Sequence, residues 1–242
     1  MPTKYFENKS TATIRMFCLP YAGGNAEFYL PWKNLVPDWI DLCPIQLAGR
    51  SYRLNEICVD NFYDLAEELL SIIEQYNDKK IVLYGHSMGS VLAYEIAVRM
   101  KKKPVLIGLT GGDAPHEWKG KNFYTNFSDQ EMLNWMTENY GYSAADNSEM
   151  KNYLLPFVHT LRKDLQICEN YETTGMTYDH PTIISGAKDD PLCKSDLNLW
   201  KQYCPQSEVI YFDNGGHFFN RVHADELVST ITKKIKEADT MQ

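Results

Sequence analysis

The sequence predicts a single α/β domain in which a mostly parallel β-sheet is covered by helices on both faces. Short apolar runs alternate with longer amphipathic runs along the chain, and strands separated by helices are typical of parallel sheets. The 242 residues can bury roughly 70% of their unfolded surface, enough for one large core. Roughly 60 residues between two of the strands show no strand pattern, which indicates an inserted helical segment.

Six apolar runs bounded by Gly, Pro or Asp are predicted to be buried strands. Their short length and near-continuous apolar character are typical of strands with both faces covered. The runs are Ile14–Leu19, Leu42–Leu47, Ile81–Tyr84, Val105–Thr110, Thr182–Ser185 and Val209–Phe212.

Three helices are predicted to accompany these strands. The first has apolar residues at offsets 0, 3, 4, 7, 8 and 11 from Phe62, the stripe of a helix that packs one face on a sheet. The others are Ser87–Met100 and Ala224–Glu237. The basic run 101–103 follows the second helix, which spans ~21 Å. We therefore expect it at a solvated helix end, far from Ser87, where lysines can cap helix carbonyls.

The predicted domain organisation has three parts. A flexible N-terminus (1–13) precedes an α/β core (14–114 and 179–237), and a helical lid (115–178) is inserted into the core. Helix-like pieces occupy about 128–139 and 149–171 of the lid, and Ser128 with Glu131 forms a capping-box pattern at the first of them. Aromatic side chains of the lid are expected to pack it on the core, with one or two lining a channel. They are Trp118, Phe123, Tyr124 and Trp135.

Composition and charge exclude several classes of protein. The 24 basic and 32 acidic side chains give a net charge of −8, which argues against a nucleic-acid binder. No apolar run approaches the ~18 residues of a membrane span, and no apolar signal-peptide segment follows Met1. The six cysteines include no Cys-x-x-Cys pair and no nearby His at zinc-site spacing, so no metal site is predicted. We expect free thiols and a reduced, cytoplasmic location.

The run 85–89, Gly-His-Ser-Met-Gly, contains the candidate nucleophile. It follows a predicted strand and opens a predicted helix, the context in which G-x-S-x-G forms a sharp turn that exposes the serine. The helix N-terminus places backbone N–H groups and partial positive charge beside Ser87. Ser87 is therefore the predicted nucleophile, and the N–H of Met88 is a candidate oxyanion donor.

A serine nucleophile needs a base and a carboxylate that orients the base, and enzymes with this elbow carry them in the order Ser, Asp or Glu, His. His217 is predicted to be the base because it alone among the six histidines follows a strand through a glycine turn. Asp189 and Asp190 both follow the fifth strand. We favour Asp190, which Pro191 restricts to extended conformations, with Asp189 as a turn or capping residue.

Four motifs together resemble one family. Pro20-Tyr21-Ala22-Gly23-Gly24, Gln46-Leu47-Ala48-Gly49-Arg50, Gly85-His86-Ser87-Met88-Gly89 and Gly215-Gly216-His217 look like those of the type II (external) thioesterases of nonribosomal peptide and polyketide pathways. The similarity extends from about residue 14 to 237. The sequence departs from the family at Ala48, where proline is usual, and in the spacing between Leu155-Pro156 and Arg162-x-Asp164. Neither departure touches the predicted triad.

The resemblance implies an α/β-hydrolase fold with a helical lid and a triad of Ser87, Asp190 and His217. It also implies an oxyanion hole formed by the N–H groups of Ala22 and Met88. Gly23 and Gly24 agree with this, because they let the backbone after the first strand approach a bound acyl group. No metal or bound cofactor is implied, since the substrate is carried on the phosphopantetheine of a partner.

The implied partners are acyl or peptidyl carrier protein domains of the synthases, and the implied role is editing of stalled or misloaded acyl groups. Such carriers are acidic, so an enzyme of charge −8 needs a local basic contact. Arg50 and Arg53 follow the second predicted strand, and we expect one or both at the active-site rim. The cations of the lid are a second candidate set: Lys119, Lys121, Lys151, Arg162 and Lys163.

Two other functions are compatible with the motifs. One is a small-molecule esterase or lipase-like serine hydrolase, which would prefer a free ester to a carrier-bound thioester. The other is a catalytically silent protein that docks on carriers. The intact set of Ser87, Asp190 and His217 argues against silence.

Overall fold

The computed structural model describes residues 4–121, 123, 125–140 and 148–240, with side chains for all of these except 148–153, 156 and 240. Within those ranges six strands form one sheet in the order β2-β1-β3-β4-β5-β6, and every neighbouring pair is parallel. The strands are β1 (Ile14–Leu19), β2 (Ile40–Pro44), β3 (Lys80–His86), β4 (Leu106–Thr110), β5 (Thr182–Ala187) and β6 (Ser207–Phe212). The predicted parallel α/β fold is confirmed.

Helices connect the strands. The α-helices are α1 (Phe62–Glu74), α2 (Met88–Arg99), α3 (Asp129–Tyr140), α4 (Ser148–Glu169), α5 (Phe219–Val222) and α6 (Ala224–Thr240). Short 3-10 helices occupy Ala26–Asn34, Ser51–Arg53, Pro115–Trp118, Leu197–Gln202 and Gly216–Phe218. Among the helices of the described ranges, none is both long and apolar enough to cross a membrane.

The predicted second strand is displaced in the structure. It covers Ile40–Pro44 rather than residues 42–47, and it pairs with β1 at the edge of the sheet. Pro44 is the last residue of the strand, and the N–H of Ile45 still donates to Cys18 O of β1 (2.9 Å). The apolar residues 45–47 are nevertheless buried, so their pattern reports burial rather than strand pairing.

Both faces of the sheet are covered, as the apolar runs predict. Residues of β1 alternate between two buried clusters: Phe17 and Leu19 belong to one, and Met16 and Cys18 to the other. The first cluster includes α1, α2 and the helices that follow β4. The second includes the 3-10 helix after β1 and α6. The sheet therefore holds its strand ends rigidly between two apolar layers.

Local signals at the helix ends are as predicted. The backbone N–H of Ser128 donates to Glu131 Oε2 (2.8 Å) and the Glu131 N–H donates to Ser128 Oγ (3.3 Å), which is a complete capping box. At the far end of α2, Lys103 Nζ donates to the carbonyls of Ala97 (3.2 Å) and Val98 (2.7 Å). The basic run 101–103 therefore begins where α2 ends, and one of its lysines caps the last carbonyls of the helix.

The segment 115–178, between β4 and β5, has helices as its regular elements where it is described, joined by irregular stretches such as 171–178. It contains Pro115–Trp118, α3 and α4, and within the described residues it has no strand. Its action as a lid remains a prediction. At the chain start, residues 1–3 lie outside the described ranges, and the predicted flexible segment contacts the core beyond them: Lys9 N–H donates to Asp41 Oδ1 at 2.7 Å.

Candidate active site

Three predicted catalytic residues lie at the carboxyl edge of the sheet. Ser87 directly follows β3, Asp190 follows β5, and His217 lies five residues beyond the end of β6. Carboxyl ends of parallel strands all meet at this edge, where such folds place their ligand sites. The sheet order puts β4 between β3 and β5, so the loops carrying these residues converge over the centre of the sheet.

Ser87 sits in a strained turn between β3 and α2. Its φ of 55° and ψ of −119° are unusual for a residue with a side chain and cost about 1–3 kcal/mol. The flanking glycines make the turn possible: a Cβ on Gly85 would lie 1.8 Å from Gly89 O, and one on Gly89 would lie 2.4 Å from Leu19 O. The glycines thus let the elbow press against β1 and direct Ser87 into a cavity.

Asp190, rather than Asp189, orients His217. His217 Nδ1 lies 2.9 Å from Asp190 Oδ2 and 3.1 Å from Oδ1, and the two residues are only 4% and 5% exposed. The N–H groups of Leu192 (2.8 Å) and Cys193 (3.2 Å) donate to Asp190 Oδ1 and hold the carboxylate. An ionised carboxylate only accepts, so His217 Nδ1 carries the proton.

Asp189 lies in the turn that carries His217. Its carboxylate accepts from the N–H of Gly215 (3.2 Å) and of Gly216 (2.9 Å). This is the turn function that the sequence assigns to Asp189. The Nε2 atom of His217 is buried and has no hydrogen-bond partner among the described residues, while His217 and Ser87 both line the cavity. Nε2 is therefore available to take a proton from a hydroxyl at the cavity wall.

His86 is adjacent to the site but is not suited to be its base. Its ring is fully buried, Nδ1 lies 3.0 Å from Thr110 Oγ1, and the ring centroid is 5.0 Å from that of His217. Burial and the nearby His217 ring lower the pKa of His86 to about 3. His86 thus remains neutral near pH 7, so it adds no positive charge beside His217.

The predicted oxyanion donors belong to two backbone segments at the cavity wall. Met88 is the first residue of α2, and Ala22 lies in a tight turn after β1; both line the cavity. Gly24 N–H donates to Tyr21 O at 2.8 Å, and Gly23 has a φ of 76°, as a type II turn requires at its third position. The structure brings both segments to the cavity that Ser87 and His217 line.

The cavity has a volume of about 590 Å³ and is formed by the core and by the segment 115–178. Three of the four predicted aromatic residues, Trp118, Phe123 and Trp135, line it, and Tyr124 lies outside the described residues. Leu165 and Cys168 of α4 add further apolar wall. A volume of this size and a largely apolar lining are typical of a site for a small organic ligand.

The structure corrects the rim prediction for Arg50 and Arg53. They are 4% and 7% exposed, respectively. Arg50 Nη1 and Nη2 donate to Asp164 at 2.6 and 2.8 Å, and Arg53 Nη2 donates to Glu56 at 2.6 Å. Both guanidinium groups are already paired with carboxylates, Arg50 with buried Asp164 and Arg53 with exposed Glu56. The prediction that they are exposed at the active-site rim is therefore wrong.

Three lysines lie at the cavity instead. Lys119 and Lys121, from the second candidate set, line it together with Lys194, which the sequence did not single out. Lys121 pairs with Asp113, while Lys194 is exposed and forms no ion pair with any described residue. Arg162 donates hydrogen bonds to the carbonyls of Thr125 and Phe127. The Lys151 side chain lies outside the described residues.

Tyr140 is a site residue that the sequence did not reveal. Its ring stacks near the His217 ring, with centroids 6.2 Å apart and an interplanar angle of 13°, and its hydroxyl donates to Ala22 O at 3.1 Å. It is the last residue of α3 and lines the cavity. No motif marks it, because the contact joins positions 118 residues apart.

Comparisons with known proteins place the chain among thioesterases. A family model described as a thioesterase domain matches residues 14–235. Over 244 residues the chain is 28% identical to the gramicidin S biosynthesis protein GrsT of Aneurinibacillus migulanus, covering 96% of this chain and 94% of that protein. It is also 28% identical to the probable anguibactin biosynthesis thioesterase AngT of Vibrio anguillarum over 221 residues, 86% of each chain.

A solved structure agrees with these sequence relatives. The type II thioesterase BorB from the borrelidin biosynthetic cluster superposes with a TM-score of 0.83 at 25% sequence identity. The superposition covers 93% of this chain and 94% of that one. The similarity therefore extends over the core and the segment between β4 and β5.

Proposed function

The chain belongs to the thioesterase domain family, and from this premise we propose that it is a type II thioesterase acting on carrier proteins. The substrates are stalled or misloaded acyl groups on the phosphopantetheine arm of carrier domains in nonribosomal peptide or polyketide synthesis. Relatives whose names assign them to such pathways support the proposal. The observation that carries it is the position of His217, which is hydrogen-bonded to Asp190 and lines the same largely apolar cavity as Ser87.

The proposed reaction begins with acylation of Ser87. His217 Nε2 takes the Ser87 hydroxyl proton as Oγ attacks the thioester carbonyl, and Asp190 stabilises the imidazolium that forms. The N–H groups of Ala22 and Met88 bind the oxyanion, each such donor contributing about 3 kcal/mol to the transition state. His217 then gives its proton to the departing thiolate.

Deacylation repeats these steps with water. His217 takes a proton from a water molecule that attacks the acyl-Ser87 ester, and Ser87 leaves as its hydroxyl. The proposed chemistry needs no metal or bound cofactor, since the phosphopantetheine arrives on the partner. We place the enzyme in the cytoplasm, and the six free cysteines support a reduced compartment.

A comparison of substrates tests the proposal. We expect acyl thioesters on a carrier protein to be hydrolysed with a higher kcat/KM than short nitrophenyl esters, and Ser87→Ala to abolish both activities. A clear preference for the free ester would indicate the esterase alternative instead. Wild-type thioester hydrolysis no faster than that of Ser87→Ala would indicate a silent carrier-docking protein.

The lysines at the cavity are our candidate contact for the phosphate of the arm. Lys194 is exposed and forms no ion pair with any described residue, and Lys119 forms an exposed pair with Glu172 (3.1 Å), so both cations are accessible to an anion despite the net charge of −8. The double variant Lys119→Glu/Lys194→Glu should raise KM for a carrier-bound thioester by about 5- to 10-fold. The rise should exceed that for a short thioester without phosphate.

A matched double variant is available just beyond the C-terminal end of α2, whose N-terminal end lies next to Ser87. Lys101→Glu/Lys102→Glu makes the same change of charge on exposed lysines remote from Ser87. An equal rise of KM in both double variants would show that net charge causes the effect. Lys119 and Lys194 would then not be the contact for the phosphate.

A further inference from the structure

One peptide unit beside the predicted oxyanion hole is held at both ends by the segment 115–178. Its carbonyl, Ala22 O, accepts from the hydroxyl of Tyr140, the last residue of α3, at 3.1 Å. Its N–H, on Gly23, donates to Asp164 Oδ2 of α4 at 2.7 Å. Both ends of the Ala22–Gly23 peptide therefore depend on helices that lie outside the core.

The same turn is also tied to Arg50. Arg50 Nη1 donates to Gly24 O at 3.0 Å and to Asp164 Oδ2 at 2.6 Å, and Nη2 donates to Asp164 Oδ1 at 2.8 Å. The Asp164 carboxylate thus accepts from Gly23 and from both ends of the guanidinium fork, a strong, directional arrangement. Arg50, buried and unsuited to meet a carrier, instead fixes Asp164 against the turn.

The held peptide is the one whose orientation defines the turn. The hydrogen bond from Gly24 N–H to Tyr21 O makes Ala22 and Gly23 its central residues. Type I and type II turns differ in the orientation of the peptide between these two residues. This peptide meets the Tyr21–Ala22 peptide, which bears the predicted oxyanion donor, at the Ala22 Cα atom. Bonds that fix the Ala22–Gly23 peptide therefore also fix ψ of Ala22 and the Cα atom to which the donor N–H is attached.

We propose that Tyr140 and Asp164 are positioning residues that hold the Ala22–Gly23 peptide in the orientation required by the oxyanion hole, with Arg50 as the support of Asp164. The inference rests on the proposed function for the identity of the oxyanion donor. The segment 115–178 then completes the catalytic site in addition to forming the cavity wall. Leu161 of α4 packs against the same turn: a Cβ placed on Gly23 would lie 3.2 Å from its side chain.

The first test is Tyr140→Phe, which removes one hydroxyl and keeps the ring. We expect kcat for acyl thioester hydrolysis to fall by about 10-fold, with KM changed by less than about 3-fold, because the loss acts on the transition state. Complete loss of an oxyanion donor costs about 10²- to 10³-fold and sets the upper limit. The matched control is Tyr178→Phe, since Tyr178 OH donates to Pro104 O at 2.8 Å away from the cavity.

The second test removes the acceptor of Gly23 N–H. Asp164→Leu alone would leave Arg50 buried and unpaired, so the variant is Arg50→Met/Asp164→Leu, in which two apolar side chains replace the ion pair. We expect kcat to fall by about 10- to 100-fold. Lys79→Met/Asp41→Leu is the control, because it replaces an ion pair (2.7 Å) between half-buried Lys79 and buried Asp41 near the opposite edge of the sheet.

Binding of an alkyl boronic acid provides a readout that stability alone does not change. The boronic acid forms a tetrahedral adduct on Ser87 Oγ and places an oxygen in the oxyanion hole, so its affinity should fall by the same factor as kcat. This measurement requires only a reactive serine. It therefore tests the role of Tyr140 and Asp164 even if carrier thioesters prove not to be the substrate. Wild-type boronate affinity in both Tyr140→Phe and Arg50→Met/Asp164→Leu would overturn the inference.

Discussion

At the residue scale, adjacent carboxylates have separate tasks. Asp190 orients the His217 ring, whereas Asp189 binds two N–H groups of the turn that carries it. Asp190→Asn should lower kcat by about 10³- to 10⁴-fold, because an amide can stabilise the wrong tautomer and cannot stabilise the imidazolium. Steady-state hydrolysis of an acyl thioester measures this loss.

Asp189→Asn is the matched variant at the neighbouring position. The amide oxygen can still accept one N–H bond, so we expect kcat within about 3-fold of wild type and a loss of stability of about 1 kcal/mol. Urea unfolding measures the second quantity. A drop in kcat as large as that of Asp190→Asn would mean that the observed pairing is not the functional one.

The low pKa of His86 makes stability depend on pH. The unfolded chain binds a proton to this imidazole near pH 6.5, whereas burial holds the folded pKa to about 3. Between these values the unfolded state carries the extra proton, so the free energy of unfolding decreases as pH falls, by up to about 1.4 kcal/mol per pH unit. Above about pH 6.5 the imidazole is neutral in both states, so His86 no longer lowers the free energy of unfolding.

His86→Gln removes the titrating group and isolates its effect. Urea unfolding at pH 7.5, 6.0 and 5.0 should show wild type losing stability relative to the variant as the pH is lowered. Parallel pH curves would show that His86 is protonated in the folded state as easily as in the unfolded one.

Single residues also show which positions the sequence can predict. Ser87, His217 and Asp190 are recognisable because each follows a strand at one edge of a parallel sheet, a local pattern with one geometric outcome. Arg50 follows a strand in the same way, but its partner Asp164 lies 114 positions away. Such a pairing leaves no local signal, so burial of the guanidinium could not be predicted.

At the element scale, α1 offers a clean test of a helix cap. The Asn61 side chain accepts from the N–H groups of Tyr63 (2.8 Å) and Asp64 (3.1 Å) before the apolar face begins. Asn61→Ala should lower the free energy of unfolding by about 1 kcal/mol without changing kcat. Asn61→Ser keeps an acceptor and should be within about 0.5 kcal/mol of wild type; an equal loss in both would show that the cap contributes nothing specific.

Element boundaries were predictable where a local stop or start signal exists. The capping box places the start of α3 within one residue of the prediction, and β1 has the predicted bounds. The second strand was displaced, because continuous apolar character after Pro44 is shared by buried strands and buried loops. The turn at Ala22 was located by its glycines, but its contacts with α3 and α4 required the tertiary structure.

At the scale of the whole molecule, the reactivity of the thiols measures whether the two apolar clusters on the faces of the sheet are intact. All six cysteines are free, and four of them, Cys18, Cys43, Cys168 and Cys204, are buried. Without reductant, a thiol reagent such as Ellman's should react rapidly with at most Cys58 and Cys193 in the folded protein and with all six after denaturation. Fewer than six reactive thiols in the denatured chain would reveal a disulfide.

The segment between β4 and β5 has a consequence for recombination between homologous enzymes. The residues of the predicted triad all lie outside it, so a donor segment grafted onto this core would reshape the cavity while leaving Ser87, Asp190 and His217 in place. Such a graft must still supply a hydroxyl for Ala22 O and a carboxylate for Gly23 N–H. Whether a chimeric enzyme is active would then depend on these two hydrogen-bonding groups of the donor segment rather than on its overall sequence identity to this chain.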